Sequence, residues 1–284
     1  MNFGLILANF GERSDPRTLA ELASMAEGSG WDGVFLPDTI QMVGAESLDT
    51  SDPWIDLAAM AMTTARVRLG LIVSTPARYR PWHLARQAAT IDHLSRGRLI
   101  LGVGLGDAYD RAFEVFHEEP NLRRRAAMLD EALEIIDGLW SGDEFRYDGE
   151  HFQVEPITLL PPPVQRPRIP LWVGWKWPNR KPMARAARWD GAVPFAMEGD
   201  DYIDLNPAQL GQVVAELEAL RTEDGPYDLV AYGPILAAQH SEAALQNLRA
   251  LDEAGATWLV EFVGPEVETD SLHQAIANGP PRLD

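Results

Sequence analysis

The sequence predicts a closed (β/α)8 TIM barrel with a small hairpin insertion between strands four and five. Three observations carry this. Short apolar runs alternate with helical stretches eight times along the 284 residues, the pattern of a parallel sheet covered by helices on its outer face. The length suits one barrel, a fold of roughly 250 residues, so residues 1–284 are expected to form a single domain. No G-x-G-x-x-G follows the first strand, which ranks an open doubly wound sheet second.

Phe3 to Ala8 reads as the first core strand rather than a signal peptide, because no basic leader or small-residue cleavage site accompanies it. Asp15-Pro16 starts a helix with apolar Leu19, Leu22, Ala23 and Ala26. Gly33 to Leu36 is strand two, and Asp52-Pro53 opens a helix that ends near Thr64. The run from Arg66 to Asp107 is the most informative. Val67, Leu69, Leu71 and Val73 form strand three, Pro81 opens a helix whose apolar residues include Leu84, Ala88, Ile91 and Leu94, and Leu99 to Val103 is strand four. After a polar, irregular stretch at 107–121, Leu122 to Trp140 is a long helix. Tyr147-Asp148-Gly149 marks a hairpin within 145–154. Strands five to eight are expected at Ile169–Val173, Asp190–Pro194, Tyr227–Tyr232 and Thr257–Phe262. Helices are expected at Met183–Arg188, from Asn206-Pro207 to Leu220, at Ser241–Leu251 and at Ser271–Ala277.

Composition narrows the function. A net charge of −19 repels nucleic acid and anionic lipid, so neither is an expected partner. No apolar run approaches the roughly 20 residues of a membrane span. The absence of cysteine excludes disulfides and thiolate sites and fits a cytoplasmic protein. No histidine spacing matches a metal site, and none is assigned.

Barrel chemistry sits in the loops after the strands. Gly104-Leu105-Gly106 can bring amide groups to a phosphate, or can serve only the chain path. Gly174 with Lys176 is a second candidate anion site, and Thr75 stands at the end of strand three. Asp38 and Asp107 are the candidate catalytic carboxylates, as general acids or as acceptors for a ring nitrogen or a hydroxyl. Asp107 as a cap and Asp38 in an Asx turn are the structural alternatives. Trp175 and Trp177 are candidate ring-stacking residues, whereas Trp140 and Trp172 read as core.

Several segments resemble the bacterial luciferase-like flavin and deazaflavin oxidoreductases. LSRGRLILGVGLGD (94–107), after LGLIV (69–73) and RYRP (78–81), matches their central strand and its approach. GWDGVFLPD (30–38), PPPVQRPRIPLWVGW (161–175), AARWDGAVP (186–194) and the helix-and-hairpin stretch ending YDGEHFQV also match. The resemblance implies a homodimeric barrel enzyme that holds FMN or coenzyme F420 at the strand ends. It implies hydride transfer or monooxygenation of a small organic substrate. It places a non-prolyl cis peptide that supports the ring at Ile72-Val73, and phosphate contacts at Gly104 to Gly106 and Gly174-Trp175. Two departures stand out. Thr39 replaces the histidine of many deazaflavin members, and Trp175 replaces the second glycine of their "VGG". Two other functions remain open at this level: a catalytically silent flavin-binding protein, and a cofactor-free lyase or hydrolase using Asp38 and Asp107.

Overall fold

The computed structural model describes residues 1–41, 47–106, 110–199, 201–222 and 225–283. Eight parallel strands close into a barrel: β1 (Asn2–Leu7), β2 (Gly33–Leu36), β3 (Arg68–Ser74), β4 (Leu99–Val103), β7 (Leu171–Lys176), β8 (Gly191–Glu198), β10 (Asp228–Tyr232) and β11 (Trp258–Val263). The ring closes twice over, between β1 and β11 along six residue pairs and between β8 and β10 through Asp228–Gly191 and Leu229–Ala192 alone. A hairpin of β5 (Phe145–Asp148) and β6 (Gln153–Ile157) lies outside the ring. The expected barrel and insertion are both present.

Helices α1 (Pro16–Gly28), α2 (Pro53–Thr63), α3 (Pro81–Leu94), α5 (Leu122–Trp140), α6 (Arg180–Ala186), α7 (Pro207–Leu220), α9 (Glu242–Glu253) and α10 (Thr269–Ala277) cover it. Four of them begin with proline at the first turn, where its missing N–H costs nothing. Asp52 caps α2 through the amides of Trp54 and Ile55, and Asn206 with Gln209 forms a capping box on α7. Asp15 stands at the N-cap of α1 but its carboxylate accepts no backbone N–H there.

Three short elements were not foreseen. α4 (Ala112–Val115) lies in the stretch expected to be irregular, β9 (Asp201–Ile203) adds antiparallel to β8, and α8 (Ile235–Ala238) follows β10. Strands five and six also run further than expected, to Lys176 and Glu198.

Alternation along the strands makes two cores. The inner one holds Ile6, Phe35, Ile72, Ile100, Trp172, Val193, Val230, Trp258 and Val260. Phe35, Trp172 and Trp258 pack ring against ring at 5.4–5.6 Å and plug the barrel. The outer core lies between strands and helices.

The end opposite the mouth is tied by buried polar groups, and these explain several of the resemblance motifs. Arg98 donates to the carbonyls of Ser95, Val67, Ala61 and Thr64 and to the Thr64 hydroxyl. It thereby joins α2, α3 and the start of β3. Asp92 accepts the amides of Val164 and Gln165 and the Gln165 side chain, pinning the proline-rich connector. The hairpin is held to α5 by Glu131, which accepts from the amides of Glu150, His151 and Phe152. Among the described residues no helix is long and apolar enough to cross a membrane.

Arg98→Ala leaves those acceptors in the core without their donor. The expected loss is about 3 kcal/mol or more, read as a lower urea midpoint with the slope unchanged.

Candidate active site

At the mouth, β3 departs from regular pairing. Its register with β4 shifts between Leu71 and Ser74. The Ile72–Val73 peptide is cis, at the position the resemblance indicates. Ile72 stays in the inner core. The Val73 side chain packs against three glycines of the neighbouring strand ends. A Cβ on Gly102 or Gly174 would stand 3.2 Å from Val73 Cγ1, and one on Gly104 2.9 Å from Val73 Cγ2. Gly104 and Gly174 are therefore required first to make room for Val73.

The amide of Gly104 is already committed to the carbonyl of Ser74, at 2.8 Å. Those of Leu105 and Gly106 have no acceptor among the described residues. Gly106 has φ +81° and lies against the Phe113 ring and Thr75 Cγ2, so a side chain is excluded by conformation and by space. Arg125, in the first turn of α5, is buried; it donates to the Leu105 carbonyl at 2.9 Å and lies 3.9 Å over the Phe113 ring. Burial pushes its pKa down.

Asp38 and Asp110 bracket Arg78 in a buried cluster. Arg78 lies 3.2 Å from Asp38 Oδ1 and 2.7 Å from Asp110 Oδ2, and also donates to the Asp38 carbonyl. Ser74 donates to Asp38 Oδ2 at 2.6 Å, and the Tyr79 hydroxyl lies 3.0 Å from both carboxylate oxygens. Burial pushes the Asp38 carboxyl up; Arg78, Ser74, Tyr79 and the Thr75 amide pull it back. The same burial, with the Asp38 charge beside it, raises the Tyr79 hydroxyl. Both oxygens of Asp38 are thus engaged by protein donors, and the cluster fastens the end of β2 to the end of β3.

The remaining expected residues separate. Thr75 is buried beside Gly106. Trp175 is 3% exposed and its ring packs in the outer core, so the expectation that this ring covers the mouth is corrected: its neighbour Gly174 faces inward and Trp175 must face the helices. Lys176 is exposed at the end of β7 and makes no ion pair among the described residues. Asp107 lies outside the described residues. Among those described, no group of three or more histidines and carboxylates is placed to hold a metal ion.

Sequence reasoning missed Arg78, Tyr79 and Asp110 as the partners of Asp38, although Arg78-Tyr79 stood in the RYRP segment. It also missed Asp56, which meets the strand-end residue Asn9 beyond β1. Asn9 and Asp56 are fully buried; Ser51 donates to Asp56 Oδ2 at 2.6 Å, while Asn9 Oδ1 and Asp56 Oδ1 have no hydrogen-bond partner. The signal was a carboxylate one residue from Leu57, on a helix face that buries Pro53, Leu57 and Met60.

These features sit in a chain whose relatives are identifiable. Residues 1–277 match the profile of the luciferase-like monooxygenase family, and the chain belongs to that family. It is 31% identical over 240 residues to an F420-dependent glucose-6-phosphate dehydrogenase of Kineococcus radiotolerans, covering 84% of this chain and 69% of that one. Its fold is similar to the coenzyme F420-dependent tetrahydromethanopterin reductase of Methanopyrus kandleri, with TM-score 0.74 and 18% identity over 98% and 96% of the two chains. It is also similar to the oxygenating constituent of 3,6-diketocamphane monooxygenase from Pseudomonas putida, solved with FMN, with TM-score 0.63 and 15% identity over 97% and 84%. Membership of this family makes the chain an oxidoreductase by kinship.

Two outcomes are expected. Gly104→Ala overpacks Val73 and costs about 1–3 kcal/mol, part of which Val73→Ala restores in the double variant, as thermal unfolding of the four-member cycle will show. Burial raises the Asp56 carboxyl to about 6 from its ordinary 3.8. The folded state then holds this proton more tightly than the unfolded chain, so stability falls as pH rises from about 4 to 6 and the full cost persists above. Asp56→Asn removes that cost: a gain of up to about 3 kcal/mol is expected at pH 7.5, vanishing by about pH 4, in denaturant titrations across that range.

Proposed function

We propose that this protein transfers hydride between a small organic substrate and coenzyme F420 seated at the mouth of the barrel. The observation that carries the reading is the Val73 wedge between strand-end glycines, flanked by the acceptor-free amides of Leu105 and Gly106. A flat ring fits against rigid main chain that carries no side chains beyond Val73. A phosphate fits the amides of a positive-φ turn. The glycine cradle therefore suits a flavin-type group, and the sequence kinship to an F420-dependent dehydrogenase favours F420 over FMN.

When bound, that ring accepts or gives a hydride; the protein supplies orientation and electrostatics. Ile72 and Val73 would support one face of it. The amides at 105–106, with Lys176 on the adjoining strand end, would hold the phosphate. Ser74, Tyr79 and Arg78 keep Asp38 in place, and with it the ends of β2 and β3. Asp38 is a positioning residue on this reading, which counts against a cofactor-free acid–base pair of Asp38 and Asp107. Asp107, next in sequence after the Gly106 turn, is the carboxylate proposed to hold the proton exchanged with substrate.

Titration of the purified protein with F420 and with FMN, followed by difference absorption, tests this. Saturable F420 binding is expected, weakened about tenfold in Lys176→Ala, a change of about 1.4 kcal/mol. Binding of FMN alone would transfer the reading to flavin chemistry, and binding of neither would reject it.

A further inference from the structure

The wall of the mouth facing Val73 is built from different residues. In barrel order β10 stands across from β3, and β11 from β4. Inward alternation places Phe195, Tyr232 and Phe262 one step above Val193, Val230 and Val260 of the inner core. Phe262 is 44% exposed and lies 6.5 Å from Phe10. Phe195 lies 5.0 Å from Tyr202, itself 48% exposed. The Tyr232 hydroxyl has no hydrogen-bond partner among the described residues.

Charge divides the rim in the same way. The segments at and beyond the ends of β8, β10 and β11 (195–206, 233–241 and 264–268) contain no lysine or arginine in the sequence, and their acids include Glu198, Asp204 and Glu266. The loop after β1 (8–15) holds Arg13, whose guanidinium is buried and donates to the carbonyls of Gly264 and Val267, and Arg17 follows in the first turn of α1. The arginines and lysines of the rim follow β3, β4 and β7 instead: Arg78, Arg80, Arg123, Arg124 and Lys176 among them.

A phosphate group entering the aromatic side would lose water and find carboxylates in place of the arginine or lysine donors that phosphate recognition uses. A ring would find aromatic faces, and a carbonyl or hydroxyl oxygen would find one phenol. We infer that this wall is a substrate site for a neutral, apolar, ring-bearing ketone or alcohol, held by Phe262, Phe195 and the Tyr232 hydroxyl, and that it excludes phosphorylated sugars. The inference rests on the proposed oxidoreductase reading and separates this chain from its relative named for glucose 6-phosphate.

Acetophenone and glucose 6-phosphate serve as probes in ligand-observed NMR titrations of the purified protein, with and without F420. Saturable acetophenone binding is expected, with no binding of glucose 6-phosphate at equal concentration. Phe262→Ala and, separately, Phe195→Ala should each weaken acetophenone tenfold or more while the F420 affinity stays within twofold. Tyr232→Phe should weaken acetophenone less than the loss of either ring does. Saturable binding of glucose 6-phosphate, or acetophenone binding indifferent to both alanine variants, would overturn the inference. Failure of F420 to bind while acetophenone still responds to Phe262→Ala would sink the cofactor reading and leave the substrate wall standing.

Discussion

The close fit of Val73 to Gly102, Gly104 and Gly174 is the constraint from which the rest of the mouth follows. A side chain on any of these glycines would meet either Val73 or the backbone of β3. The kinked end of β3 can therefore enter the mouth only because β4 and β7 present bare main chain there. What results is a surface with little freedom to rearrange, as interiors packed at this density lack the space for it. A rigid surface of this kind can orient a ring, since catalysis by a bound cofactor depends on where the protein holds the reacting atoms.

The glycines serve two purposes at once. Gly104 and Gly174 resemble phosphate-loop glycines in the sequence, yet the Gly104 amide is spent within the protein. The turn amides that stay without acceptors come one and two residues later. Fixed polar clusters complete the frame. Arg78 is paired with two carboxylates at the mouth, and Arg98 with backbone carbonyls at the far end. A buried guanidinium is tolerable only with such partners.

Much of this was legible in the sequence because the strongest signals are periodic. Eight apolar runs separated by amphipathic helices leave few architectures, and proline and Asp-Gly punctuation marks most boundaries. Elements of three or four residues, such as β9 and α8, have too few positions to show a period. The Trp175 ring was misplaced for a related reason. Its exposure depends on which residue of β7 starts the inward face, and only the burial of Trp172 inside the barrel fixes that phase. The Asp38 cluster was out of reach because its members come from three segments whose meeting is a tertiary fact, though two of them stood side by side in RYRP. The segregation of charge around the rim emerges only once the strand order is known.

The closing seam between β8 and β10 is ladder-bonded through two residue pairs near its lower edge, and above them β8 turns to pair with β9. The cylinder is consequently split on one side at its upper lip. Phe195 and Tyr202 stand on one flank of the split and Tyr232 on the other, while across the lumen β3, β4 and β7 are ladder-bonded to one another except at the register break around Ile72 and Val73. Separating two neighbouring strands of the ring therefore breaks the fewest ladder pairs at this seam. Widening the mouth along it would leave the glycine-lined half of the ring undisturbed.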